Sequence, residues 1–356
     1  MADLESWDLV VRRDDLDAAE IRPARPAALR EGEVRLTAEK FALTAITATY
    51  SRLGESDLPF FEAFAAPEGH GRVPTWGYAR VTESRHPGVA VGTRYYGFLP
   101  LSSEVVLTAS PTERGFADTA PERDYLHPWY REYLPAGEPD AFDDHRLLLR
   151  PLYPASFNLA EHLGASDTPR TVLITSASSK TALALAGLVR DRADLTTVGV
   201  TSAAHLEFVR ARGLYDRVLT YEDLPTATLG GPVVLVDFTG QAARLFTLYE
   251  HFQPVLEDAL LVGYTHPGAE IEPPDALTDP VPWIFFTPTQ EGLLIGKEGE
   301  ESYRARYAAS EESFVRSTPA WLDVVHASGP EALLTAYRAL MSNALPPHTG
   351  TVLTPR

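Results

Sequence analysis

The sequence predicts an α/β protein in two parts: a small β-barrel, then a doubly wound parallel sheet with helices on both faces. Three observations predict this. Before about residue 110, short β-branched apolar runs are punctuated by Gly and Pro, the pattern of a closed antiparallel fold. After residue 170, strand and helix patterns alternate, the mark of βαβ units. The length, 356 residues, suits two domains.

In order along the chain, 34–38 and 41–50 carry alternating or β-branched apolar residues and predict strands. The stretch 74–83 alternates and turns at His86-Pro-Gly88, and strands follow at 89–100 and 104–108. Tyr95 and Tyr96 are neighbours in a strand and so face opposite ways. Residues 111–145 are polar, charged and Pro-containing and predict a long loop. A mostly apolar stretch, 147–163, predicts a crossing helix broken by Pro151 and Pro154. The βαβ series then gives strands at 171–175, 197–201, 217–221, 232–238 and 259–264, with helices at 180–192, 203–212 and 242–251. A Pro/Asp-rich loop covers 266–282, the tail from about 300 to 340 is helical, and 350–354 is a returning strand. The expected division puts 1–150 and 286–356 in the barrel and 151–285 in the parallel-sheet domain.

Composition excludes several classes of function. A net charge of −18 argues against nucleic acid or an anionic membrane as the main partner, since both need a basic field. The absence of cysteine removes disulfides, thiolate nucleophiles, iron–sulfur clusters and cysteine zinc sites, and no metal site is expected. The N-terminal segment is acidic without an apolar signal core, and no apolar run approaches the roughly 20 residues of a membrane span. A cytoplasmic protein with a small-molecule substrate is expected.

The loop after the first parallel strand, Thr175-Ser-Ala-Ser-Ser-Lys-Thr181, is the most informative segment. Such a junction docks phosphates because the first helical amides lack intrahelical partners. Lys180 is one of three lysines against 28 arginines, so lysine is not this chain's general surface charge. Ser176, Ser178, Ser179, Lys180 and Thr181 are therefore candidate phosphate-binding residues. The alternative is that the serines only cap a helix and Lys180 is solvated. A P-loop would need glycines where Ile174 and Ser179 stand. At the end of the second strand, Thr201 and Ser202 replace the acid that would bind the ribose 2′-hydroxyl of NAD. Small hydroxyl residues leave room for a 2′-phosphate and favour NADP(H), although Thr-Ser is also a common helix cap.

The segment Val198–Tyr221, with its Gly-x-x-Asp turn and following Tyr, resembles quinone-oxidoreductase-like members of the medium-chain dehydrogenase/reductase superfamily. So do Gly88–Leu101 and Val233–Gly240. The stretches LLRPLYPASF, TSASSKTALALA and GLYDRVLTYE are similar to the DUF2855 family, a divergent relative of that superfamily. The resemblance implies a GroES-like barrel, a Rossmann-type dinucleotide domain and a possible homodimer. It extends the cofactor-binding set to Tyr221, Thr239 and Gly240. It implies a zinc-independent NADP(H) oxidoreductase acting on a conjugated carbonyl, enone or quinone-like molecule. The superfamily's glycine fingerprint is absent, which leaves open a relative without redox activity: a lyase, isomerase, hydrolase or binding protein.

Candidate catalytic residues are Tyr50, near where zinc-free enoyl reductases carry a tyrosine, and His127, Tyr130 and Arg131 in the cluster Tyr125–Tyr133. A phenol can protonate an enolate, a histidine can act as acid or base, and an arginine can hold a carboxylate. Tyr50 equally suits a buried barrel aromatic, and the cluster equally suits a lid packed by its own rings.

Overall fold

The structure, a computed structural model, describes residues 6–25, 27–166, 168–264, 269 and 272–356. Residues 1–5 of the acidic N-terminal segment lie outside these, as do 266–268, 270 and 271 of the loop expected at 266–282. The chain divides into two units, Met1–Leu148 with Trp321–Arg356, and Leu149–Ala320.

The first unit runs through β1 (Trp7–Arg12), β2 (Asp15–Pro23), β3 (Glu33–Leu43), α1 (Ala45–Arg52) and β4 (His70–Arg72). It continues with β5 (Pro74–Ser84), β6 (Arg94–Pro100), β7 (Glu104–Thr112), β8 (Gly115–Asp118), β9 (Glu132–Pro135) and α2 (Asp143–Leu149). Strands β2-β1-β4 form a small sheet, and β3-β5-β6-β9-β8-β7 form a barrel that closes where β7 pairs back onto β3, Glu33 opposite Thr108. Closure leaves no edge strand within that ring.

The structure departs from the sequence expectation at two places in this unit. The run 41–50 is not one strand: β3 ends at Leu43 and 45–52 is helix. The chain turns because Thr47, on the first turn of α1, hydrogen-bonds Thr75 at 2.9 Å and accepts from the Thr44 amide on its hydroxyl oxygen at 3.5 Å. Its threonines and alanines carry too little pattern to separate strand from helix. Nor is 111–145 a long loop. It supplies β8 and β9, which complete the barrel. Tyr133 of β9 is buried, stacks on Phe116 with centroids 4.8 Å apart, and donates from its hydroxyl to the Phe98 carbonyl at 2.6 Å. Its ring occupies the space a side chain at Gly97 would need, 2.3 Å from an added Cβ. Tyr95 and Tyr96 do face opposite ways, onto Phe116 and Trp76 respectively.

The second unit begins with α3 (Tyr153–Leu163), so the expected helix 147–163 is two helices broken at Pro151, with Pro154 tolerated in the first turn of the second. Then follow β10 (Arg170–Ile174), α4 (Lys180–Val189), β11 (Leu195–Thr201), α5 (Leu206–Arg212), β12 (Arg217–Thr220), β13 (Val233–Asp237), α6 (Ala242–Phe252), β14 (Leu256–Leu261), β15 (Trp283–Ile284), α7 (Thr287–Glu298) and α8 (Glu300–Ser317). All pairings are parallel and the sheet order is β12-β11-β10-β13-β14-β15. Counted within the unit this is 3-2-1-4-5-6, the Rossmann order, in which the direction of winding reverses between the first and fourth strands.

Side-chain alternation explains why these strands read as continuous apolar runs. Leu173, Val233, Leu235, Ala259 and Leu261 pack with Leu245, Leu248 and Phe252 of α6. Val172, Ile174, Val234, Val236 and Leu260 pack with α3 and α4 through Leu159, Leu163, Ala182 and Leu185. Both faces are covered, so both must be apolar.

Residues 286–320 group with this unit, not with the barrel as expected. Tyr303, Tyr307 and Phe314 of α8 and Leu294 and Ile295 of α7 pack on Tyr153 and Phe157 of α3. The chain then returns to the first unit through β16 (Asp323–Ser328), α9 (Pro330–Met341) and β17 (Thr349–Thr354). Strand β17 pairs antiparallel with β3, Leu353 opposite Phe41, and parallel with β16. Among the described residues no helix is long and apolar enough to cross a membrane.

Candidate functional site

The candidate site of the second unit forms at the C-terminal ends of its strands, where the chain leaves the paired β10 and β13 for helices on opposite faces of the sheet. Its foundation is Asp237, fully buried at the end of β13. The Thr175 hydroxyl donates to Asp237 Oδ1 at 2.6 Å, the Thr239 hydroxyl donates to the same oxygen at 2.9 Å, and the Gly240 amide donates to Oδ2 at 2.8 Å. Burial raises the Asp237 pKa, and these donors oppose the rise. The carboxylate thereby ties the loop after β10 to the loop after β13. Gly240 has φ +66°, and a Cβ there would lie 2.9 Å from the Gly263 carbonyl oxygen, so the loop admits only glycine at this point.

The loop after β10 has no glycine, yet one of its residues takes a glycine-like conformation. Ser176 takes φ +47°, a left-handed conformation that normally selects glycine. Its amide donates to the Tyr221 hydroxyl at 3.0 Å. The Ser178 hydroxyl lies 3.1 Å from His205 Nδ1, and Tyr215 donates from its hydroxyl to the Ala177 carbonyl at 3.0 Å. Ser179 caps α4, its hydroxyl accepting from the Ala182 amide at 3.2 Å. Lys180 begins the helix. Part of its surface still reaches solvent, yet burial of the ammonium lowers its pKa to about 8. Thr181 follows in the first turn, its carbonyl accepting from Ser156 at 2.8 Å.

The neighbouring strand ends complete the rim. Thr201 is buried and opposite Thr220 in register, and the half-buried Ser202 opens a short turn over 203–205. Tyr221, directly after β12, therefore lies beside the end of β11 and reaches with its hydroxyl to the loop after β10. Burial pushes its pKa up to about 12. The Arg244 guanidinium lies over its ring, 3.7 Å from the centroid.

The barrel unit holds a separate aromatic cluster. Tyr50 is 2% exposed, packed on Phe60 at 4.5 Å and Phe98 at 5.2 Å between centroids, and its hydroxyl accepts from Trp76 Nε1 at 2.9 Å. It pairs with the buried Tyr130 hydroxyl, and burial raises both phenol pKa values well above the ordinary range. His127 and Arg131 do not join this pair. His127 Nδ1 accepts from the Trp129 amide at 3.2 Å and caps the turn Pro128–Tyr130, while Arg131 pairs with the exposed Asp124 at 2.7 Å.

The family model described as "Protein of unknown function (DUF2855)" matches residues 41–346. The chain belongs to the DUF2855 family. No curated protein matches the chain. Among solved structures, CurA from Vibrio vulnificus in complex with NADPH matches with a TM-score of 0.63 at 14% identity, over 98% of this chain and 99% of the other. Escherichia coli quinone oxidoreductase complexed with NADPH matches with a TM-score of 0.62 at 15% identity, over 98% and 100%. Quinone oxidoreductase from Pseudomonas syringae pv. Tomato DC3000 matches at 0.60 and 15%, over 98% and 100%. The DUF2855 chain thus shares the fold of these structures, a GroES-like barrel and a Rossmann sheet.

Within this DUF2855 fold, Ser176, Ser178, Tyr221 and Gly240 come together at the strand ends. Thr201 and Thr239 are buried behind them, the latter with its hydroxyl committed to Asp237. Sequence reasoning missed Asp237, Thr175, His205 and Arg244 as parts of the site. For Asp237 a signal was present, since an acid ending a wholly apolar strand, Val233–Asp237, needs partners when buried. Arg244 gave none, because its approach to Tyr221 depends on which strands are neighbours.

Proposed function

We propose that this DUF2855 protein is a zinc-independent, NADP(H)-dependent oxidoreductase whose substrate is a conjugated carbonyl, enone or quinone-like small molecule. One observation carries the proposal. A 3-2-1-4-5-6 parallel sheet presents, at its reversal point, a loop of small residues leading into a helix, with no acid at the end of β11. That is where dinucleotides bind in open α/β sheets, and the missing acid removes the repulsion a 2′-phosphate would meet. The Vibrio CurA and Escherichia coli quinone oxidoreductase structures of the same fold hold NADPH. The absence of cysteine from the sequence supports zinc independence.

The residues fit the cofactor. Ser176 takes the left-handed turn of a fingerprint glycine, and Gly240 lets the loop after β13 pack closely against Gly263 and Tyr264. Ser178, Lys180 and Thr181 would hold the pyrophosphate at the start of α4, Lys180 by charge. Ser202 and Tyr221 would border the adenosine ribose. Asp237 would position both loops without touching the ligand. When bound, NADPH supplies a hydride. In the barrel, the Tyr50–Tyr130 pair stays protonated through neutral pH and so offers a hydrogen-bond donor to a carbonyl oxygen or a proton to an enolate.

One observation favours the rival reading, a relative without redox activity. The Ser176 amide, on the phosphate loop, is taken by Tyr221. Fluorescence titration with NADPH and NADH separates the two. The proposal expects micromolar NADPH binding, followed by NADPH oxidation with a panel of quinones and enones. Absence of binding by either nucleotide would hand the case to the rival.

A further inference from the structure

Arg244 is unlike most arginines of this acidic chain. Arg210, Arg304 and Arg306 each meet a carboxylate, whereas no described carboxylate lies within ion-pair distance of Arg244. Its Nε donates instead to the neutral Gln241 side chain, one turn back at the start of α6. Its guanidinium plane is held against Tyr221 at 3.7 Å. A cation stacked on an aromatic face keeps its charge and its outer N–H donors while losing conformational freedom. Tyr221 in turn is fixed at both ends, by following Thr220, which pairs with Thr201, and by accepting the Ser176 amide at 3.0 Å. Tyr221 therefore bridges the end of β11, beside which an adenosine ribose would lie, and the phosphate loop, and Arg244 lies against its ring.

From this geometry we infer that Arg244 is the specificity-determining cation for NADP(H), its outer guanidinium nitrogens binding the 2′-phosphate that distinguishes this cofactor from NAD(H). The inference rests on the proposed function and deepens it. Thr201 and Ser202 explain why a 2′-phosphate is tolerated. Arg244 explains why it is preferred. A guanidinium suits a phosphate because its donors match two oxygens at once. Tyr221 is the positioning residue that aims it.

The test is a titration of the full chain with NADPH and with NADH, in wild type, Arg244→Gln and Arg244→Lys. Thermal melting of the unliganded proteins checks folding. Wild type should prefer NADPH. Arg244→Gln should weaken NADPH by about tenfold to a hundredfold, the scale of a charge-assisted contact, and leave NADH unchanged. Arg244→Lys should restore part of the preference, because charge returns without the fork. An undiminished NADPH preference in Arg244→Gln overturns the inference and leaves the proposed function standing. Equal weakening of both nucleotides also overturns it, because the arginine would then serve the shared part of the ligand. If wild type binds neither nucleotide, the proposed function fails and the inference with it.

Discussion

Lys180 shows how a residue legible in sequence changes meaning in structure. Its rarity marks it, and both readings of the loop give it an ordinary positive charge. Burial instead brings its pKa down to about 8, near physiological pH. For a base with a lowered folded pKa, the unliganded protein gains stability as pH rises from about 8 towards the ordinary value of 10.5. It loses that gain as pH falls back through about 8. Phosphate binding runs the opposite way, since it needs the ammonium. NADPH affinity should therefore fall as pH climbs past about 8, and Lys180→Met should abolish that dependence. At neutral pH the variant should bind NADPH about 1–3 kcal/mol more weakly and melt no lower than wild type. Isothermal titration across the pH range, beside thermal melts, reads both effects. A wild-type affinity that does not change with pH would remove Lys180 from the phosphate site. Ser176 carries a related lesson. The missing glycines look like a lost motif, but the left-handed turn they serve survives on a serine, and no side-chain pattern reports a backbone angle.

Among elements, the parallel strands were legible and the barrel's last two strands were not. Strands β10, β11 and β13 are largely buried on both faces, so each carries an apolar run, Val172–Ile174, Val198–Val200 and Val233–Val236, set off by turns. Strands β8 and β9 are four residues each and sit in polar surroundings, so periodicity has nothing to work on. Beyond its pairing with β6 and β8, β9 is held by the Tyr133 ring packed on Gly97. Gly97→Ala would place a methyl 2.3 Å from that buried ring, whose hydroxyl is fixed on Phe98. The ring can shift only by breaking that bond, so we predict a loss of about 1–3 kcal/mol in chemical denaturation. A neutral result would show that Tyr133 is free to repack.

At the scale of the whole molecule, the chain leaves the barrel unit after Leu148 and returns at Trp321. The sequence showed the return strand but not the division around 286–320, because the long polar helix α8 buries only a few residues, Tyr303, Glu311 and Val315. The returning β16 is tied to α2 by His326 Nε2, 2.7 Å from Asp144, which also pairs with Lys40 at 2.6 Å. Burial pushes the Asp144 carboxyl up, but Lys40 and His326 outweigh it and hold its pKa below the ordinary value. Its contribution is present above the ordinary carboxylate range and is lost as pH falls through it. Asp144→Asn should therefore lower the melting temperature at neutral pH and flatten the acid limb of the stability profile. An acid limb identical to wild type would place the acid sensitivity elsewhere.

Nucleotide binding is the claim on which the functional account depends. Isothermal titration of the wild-type chain with NADPH and NADH, at one pH and salt concentration, tests it directly. The account predicts micromolar affinity for NADPH and weaker affinity for NADH, because Thr201 and Ser202 stand where an acid would select NAD(H) and Arg244 is placed to bind the 2′-phosphate. NADH binding as tight as NADPH would contradict the reading of the β11 end, and heat from neither would contradict the claim itself.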